Sequence, residues 1–269
     1  MVFFTEDLSI EKQCFATDTH AHLFLLKSSL EAVIARAKLA QVECIVNVGF
    51  CLATSIKAYE MAMQYPDNIF PAIGIHPEEC ASENDLDAIP EIIKKTNNSV
   101  VKYKAIGEIG LDYFRNTHEK GLQKKFFIRQ LEYAEEFNLP VIIHNREADQ
   151  DVLEILKDFS QIPKVFHCYS SNLDFAIKAQ AENHYFSFTG NITYKNKDHI
   201  LEVVKFLPLE KIMLETDCPY ITPHNLKGQE NEPAFVIEIA RKIAEVKQLS
   251  LEFVLEQTTK NAKFFFRFK

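Results

Sequence analysis

The chain has 269 residues, 47% of them hydrophobic and 25% charged, with 10 prolines and 7 glycines. That is ordinary globular usage, with apolar material for a sizeable core, and it excludes wholesale disorder, collagen-like repeats and low-complexity stretches. Lys and Arg total 30 against 38 Asp and Glu, a net charge of −8, so a polyanionic partner has to be held by a few placed cations or metal ions rather than by a general positive field.

The first thirteen residues read as an arm ahead of a single domain; they lack the basic start and apolar stretch of a signal peptide. Eight β-rich runs then follow, at 15–19, 44–48, 70–75, 104–109, 140–144, 164–167, 185–189 and 212–216. Many are nearly continuous apolar stretches, the pattern of parallel strands buried on both faces. Between them the period changes to 3.6. Leu30, Val33, Ile34 and Ala37 make one stripe, Phe127, Leu131, Ala134 and Phe137 another, and Val152, Ile155, Leu156 and Phe159 a third. Ser28-Ser29 and Asn172 mark helix starts. Eight strands alternating with about eight helices in some 250 residues predict an α/β chain folded as a (β/α)8 TIM barrel. A doubly wound sheet competes, but its glycine-rich first turn is missing, since the first strand runs into His20 and His22. The apolar 264–268 end is expected to dock on the barrel.

Six cysteines, at 14, 44, 51, 80, 168 and 218, form no C-x-x-C pair, which predicts neither a zinc ribbon nor a disulfide framework. No run approaches the ~18 apolar residues of a membrane span. A cytoplasmic, monomeric protein without a membrane partner is the expectation.

In a barrel, residues at the C-terminal ends of the strands converge on one mouth. The runs end in His20 and His22, His76, Glu108, His144, His167 and Asp217. Residues i and i+2 of an extended segment point the same way, so His20 and His22 face the axis together. Four histidines and two carboxylates exceed the three ligands of one catalytic metal and fit two ions sharing a carboxylate. His20, His22, Glu108, His144, His167 and Asp217 are therefore the expected ligands, with Glu108 as the bridge. Asp217 also orients or deprotonates water, and His76 contacts substrate or leaving group. Asp18 and Asp112 are expected to support neighbouring groups. Cys168 and Cys218 are expected to turn into the core. Nitrogen and carboxylate donors suit zinc, manganese or magnesium. Arg146, Arg115, Lys227 and Lys195 are the candidate substrate cations. Tyr113 and Tyr169 are open to two readings, stacking on a base or packing in the core.

Seven stretches carry a family resemblance: 18–23 (DTHAHL), 74–77 (GIHP), 105–113 (AIGEIGLDY), 139–146 (LPVIIHNR), 166–170 (FHCYS), 188–192 (FTGNI) and 214–220 (LETDCPY). In order and together they resemble the TatD family of metal-dependent deoxyribonucleases. The resemblance implies the same six metal ligands and a phosphodiester substrate, DNA, at single-stranded or frayed ends. Two departures stand out. The arm is an addition, and 227–233 (KGQENEP) carries Gln229 and Glu230 where the family commonly has basic residues. That weakened phosphate clamp keeps open a rival substrate: a small ester, amide, lactone or phosphate ester. A barrel retained only to bind a partner would have lost ligands, and none is lost.

Overall fold

A computed structural model describes residues 14–268; the expected arm lies outside them. Eight strands form one sheet in sequential order, every neighbouring pair parallel. They are β1 (Ala16–Ala21), β2 (Val42–Val48), β3 (Ile69–Ile73), β4 (Ala105–Asp112), β5 (Val141–Arg146), β6 (Lys164–Phe166), β7 (Tyr185–Phe188) and β8 (Ile212–Leu214). The helices are α1 (Leu30–Leu39), α2 (Leu52–Gln64), α3 (Glu83–Thr96), α4 (Lys120–Glu136), α5 (Asp149–Lys157), α6 (Leu173–Ala181), α7 (Asp198–Phe206), α8 (Val236–Lys247) and α9 (Leu251–Phe266). Two sit where serine and asparagine predict a start: Ser29 accepts from the Ala32 N–H and Asn172 from the Phe175 N–H. No described helix is long and apolar enough to cross a membrane.

The segment after β8 closes the sheet on β1. The Thr19 hydroxyl donates to Leu214 O (3.0 Å), Asp217 N to His20 O (2.8 Å) and His22 N to Cys218 O (2.8 Å). Asp18, fully buried, ties the same seam by accepting from the Thr216 N–H (2.9 Å) and hydroxyl (2.6 Å). Barrel closure thus carries Asp217 to His20 of β1 and His22 just after it.

Inside, Val46, Val48, Ala72, Ala105, Ile142, Val165 and Met213 form one buried cluster with Ala262, Phe265 and Phe266 of α9. The C-terminal helix therefore plugs the barrel floor rather than simply docking outside it. Asn261 fixes it by donating to Leu209 O and Ile212 O, both at 2.8 Å. With the N-terminal end of the barrel filled, the open end is the one at which the strands finish.

Candidate metal centre

β4 delivers the centre of the site. Its register slips between Ile106 and Ile109, and Glu108 N donates past the end of β3 to Gly49 O, just after β2 (3.1 Å). The bend needs Gly107, because a Cβ there would meet the Ile142 Cβ at 2.6 Å. Gly110, at φ 147°, lies where an added Cβ would strike His144 O. Glu108 is thereby pushed toward the axis with its carboxylate 6% exposed.

Five histidines surround that carboxylate. Oε2 lies 3.4 Å from His20 Nε2 and 4.0 Å from His22 Nε2. Oε1 lies 2.7 Å from His167 Nε2, 2.8 Å from His144 Nδ1 and 3.4 Å from His76 Nε2. Asp217 Oδ1 is 3.4 Å from His22 Nε2 and 3.8 Å from His20 Nε2. Its backbone is left-handed (φ 56°), a conformation aspartate and asparagine tolerate better than most side chains. All six expected ligands, and His76, thus meet in one pocket.

The outer nitrogens show what the inner ones offer. His22 Nδ1 is 2.7 Å from Val48 O; a carbonyl only accepts, so Nδ1 carries a proton and Nε2 is the atom turned to the carboxylates. His144 Nε2 is 2.9 Å from Asp112 Oδ2, leaving Nδ1 toward Glu108. His167 Nδ1 lies 3.3 Å from Glu215 Oε1, close enough for an ion pair though not aligned as a hydrogen bond. An acceptor behind the ring is how proteins orient metal-binding imidazoles, and these three rings have one. His20 Nδ1 is buried without a hydrogen-bond partner among the described residues. His20 and His22 come within 3.3 Å of each other at Nε2 and face the carboxylates of Glu108 and Asp217. The donor set fits divalent cations.

Proton affinities follow the same convergence. Burial works against charge on His167, yet Glu108 and Glu215 outweigh it and raise its pKa well above the ordinary value. His22 is raised against burial by Asp217 and then Glu108, and His144 against burial by Asp112 and Glu108. Burial would raise Glu108, but the charges of His167 and His76 and the hydrogen bonds of His144 and His167 hold it well below the usual carboxylate range. His20 and His76 are lowered, first by burial and then by His167 and His144 respectively. Burial pushes Asp18 up to about 8 against its Thr216 hydrogen bonds. Protons and metal cations compete for one set of lone pairs.

Glu215 is the residue the sequence reading did not single out. It accepts from Cys168 N and the Ser187 hydroxyl, both at 2.5 Å, while backing His167. Its signal was present: it stands two residues before Asp217, where alternation would put both on one face.

One open reading is decided and one is corrected. Tyr169 is 2% exposed, packs against Phe186 and Phe188, and donates to Asn172 O, so it cannot stack on a base. Cys168 is half-buried rather than turned into the core: its residue is left-handed (φ 44°), with Sγ 3.5 Å from Thr189 Oγ1. Cys218 is fully buried, as expected. Of the candidate cations, Arg115 pairs with Glu78 (3.2 Å), whose carboxylate is 3.9 Å from His76 Nδ1. Exposed Arg146 lies 4.2 Å over the Phe114 ring. Lys227 and Lys195 are exposed in loops after β8 and β7. The Tyr113 hydroxyl donates to Asp151 (2.6 Å) with Lys120 over the ring. The Gln229–Glu230 departure has a local structural use, since Glu230 accepts from Lys27 N.

Fold and site together define a (β/α)8 barrel with a histidine–carboxylate centre at the C-terminal ends of its strands. Residues 17–267 match the family described as TatD related DNase, and the chain belongs to it. It is 43% identical over 256 residues to the uncharacterized metal-dependent hydrolase YabD of Bacillus subtilis (strain 168), covering 93% of this chain and 98% of that protein. It is 30% identical to the uncharacterized metal-dependent hydrolase YcfH of Escherichia coli (strain K12), covering 92% and 94%. The crystal structure of the TatD homolog YJJV from Escherichia coli K12 superposes with a TM-score of 0.85 at 26% identity, over 95% of this chain and 99% of that one.

Proposed function

We propose that this protein is a metal-dependent phosphodiesterase that releases nucleotides from the ends of DNA single strands. The observation that carries the reading is the division of the Glu108 carboxylate. Oε2 faces His20 and His22, with Asp217 beside them, while Oε1 faces His144, His167 and His76. In that arrangement Glu108, His20, His22 and Asp217 would hold one divalent cation, and Glu108, His144 and His167 would hold a second. Zinc or manganese matches the nitrogen-rich donors, and magnesium would bind more loosely.

Divalent cations in such a site supply Lewis acidity toward phosphoryl oxygens and lower the pKa of water to about 7. The chain's own groups do the rest. Asp217, kept ionised because the His22 hydrogen bond and the His20 charge overcome the effect of burial, accepts the proton of the attacking water. His76, at the open edge of the cluster and 9% exposed, is placed to contact the leaving oxygen. Asp112 and Glu215 hold His144 and His167 in orientation. The family description supports a DNA substrate, and the relatives' name supports a metal-dependent hydrolase.

The test is the products from an end-labelled single strand incubated with zinc, manganese or magnesium. The reading predicts metal-dependent release of mononucleotides from one end. Intact strands with all three metals, alongside hydrolysis of a small ester or amide, would overturn it.

A further inference from the structure

The mouth of the barrel is chemically two-sided, and the aromatic side has no part in the chemistry above. Phe24 follows β1, Phe50 follows β2 and Tyr220 follows β8, three strands that are neighbours once the barrel closes. Their rings surround His22, with centroids 5.8, 5.6 and 6.1 Å from the imidazole, and Phe24 and Phe50 lie 5.7 Å apart. Tyr220 is 53% exposed and both phenylalanines are only half-buried, so the ring surface opens to solvent beside a metal-facing histidine. The shelf is held rigidly. Tyr220 N donates to Asp217 O (2.9 Å), and Tyr220 O accepts from the side chain of fully buried Asn231. The opposite wall, after β4 and β5, carries Arg115 and Arg146, and there the one exposed ring, Phe114, already lies under the Arg146 guanidinium.

We infer that Phe24, Phe50 and Tyr220 form a stacking subsite for the nucleobase next to the attacked phosphodiester, with the flanking phosphates running toward the Arg115–Arg146 wall. The inference rests on the phosphodiesterase reading and adds one demand on its substrate: a terminal base free to unstack. A base offers a π-face whatever its identity, so such a shelf binds without sequence preference. It also makes up locally for the weakened basic stretch at 229–230, because stacking does not depend on net charge.

The test compares wild type with Tyr220→Ala, Phe24→Ala and Tyr220→Phe on two end-labelled strands, one natural and one carrying an abasic tetrahydrofuran at the scissile nucleotide. Loss of one stacked base corresponds to about a 5- to 150-fold loss in affinity. The alanine variants should raise KM for the natural strand by a factor in that range with kcat nearly unchanged. They should match wild type on the abasic strand, and Tyr220→Phe should behave as wild type on both. Equal KM on the natural strand, or an equal loss on the abasic strand, would overturn the subsite. A second readout is independent of turnover: quenching of 2-aminopurine at the terminal position of a hydrolysis-resistant phosphorothioate strand. Quenching by wild type but not by Tyr220→Ala supports the subsite even if no strand is cleaved, an outcome that would defeat only the nuclease reading. No quenching by wild type overturns the subsite itself.

Discussion

Replacing Asp217 with asparagine tests chemistry apart from folding, for reasons visible in the backbone. Asp217 is left-handed at φ 56°, and asparagine is among the few residues that occupy that region readily, whereas alanine there would cost of the order of 1 kcal/mol or more. The amide variant would also keep the bond from the residue 217 N–H to His20 O that helps close the barrel, because that bond belongs to the main chain. What disappears is the negative charge 3.4 Å from His22 Nε2 and 3.8 Å from His20 Nε2, together with the group that accepts the water proton. Loss of a general base alone costs about 10²–10⁴-fold; loss of a ligand charge at the same residue sets the expected fall in kcat at or above the upper end. The assay is nucleotide release at saturating metal, paired with circular dichroism and cooperative unfolding to show that the barrel is intact. A folded Asp217→Asn protein with wild-type kcat would refute the role assigned to Asp217.

Three further outcomes follow from the structure. His184 is 3% exposed and held down to about 3, by burial first and then by Lys164 and Lys211. Its pKa is depressed from 6.5, so the unfolded chain binds a proton that the folded one refuses. The stability is present above about pH 6.5 and is lost as pH falls toward 3, by about 2 kcal/mol between pH 7 and pH 5. The Glu182 carboxylate, 3.5 Å from Nε2 but 41% exposed, makes that an upper figure. Urea unfolding of His184→Phe at the two pH values should show a smaller acid loss than wild type; equal losses would reject the assignment. Phe266→Ala, emptying the barrel floor, should destabilise by about 3–5 kcal/mol in the same assay, and a cost below about 1 kcal/mol would show that α9 is not part of the core. Adding zinc or manganese at a hundred times its dissociation constant should stabilise the native state by about 2.7 kcal/mol per site; calorimetry showing no shift would argue against a built metal site.

Much of this architecture was legible in the sequence because parallel barrel strands are buried on both faces and read as apolar runs. All eight runs fall on strands, in order. The ends were less legible. β4 continues to Asp112 because Gly110–Asp112 pairs with His144–Arg146, a partner that periodicity cannot see. β8 stops at Leu214, and the residues after it serve the seam. The 264–268 run looked like a docking tail because its partners, the small Ala72 and Ala105 that leave room in the barrel, lie far away in the chain. The meeting of His20, His22, Glu108, His144, His167 and Asp217 was foreseeable, since strand ends in a barrel share one rim. Glu215 was passed over because the predicted run 212–216 carries it inside the strand, whereas β8 ends at Leu214 and Glu215 backs His167. Loop residues were the hardest to read: Tyr169 and Tyr113 both follow strands, but no spacing rule fixes where a loop side chain points.

Whether Glu108 is shared between two cations is decided by anomalous diffraction from crystals grown with zinc or manganese. Two anomalous peaks are expected to flank the Glu108 carboxylate, one beside His20, His22 and Asp217, the other beside His144 and His167. A single peak away from Glu108, or none at the barrel mouth, would contradict the sharing.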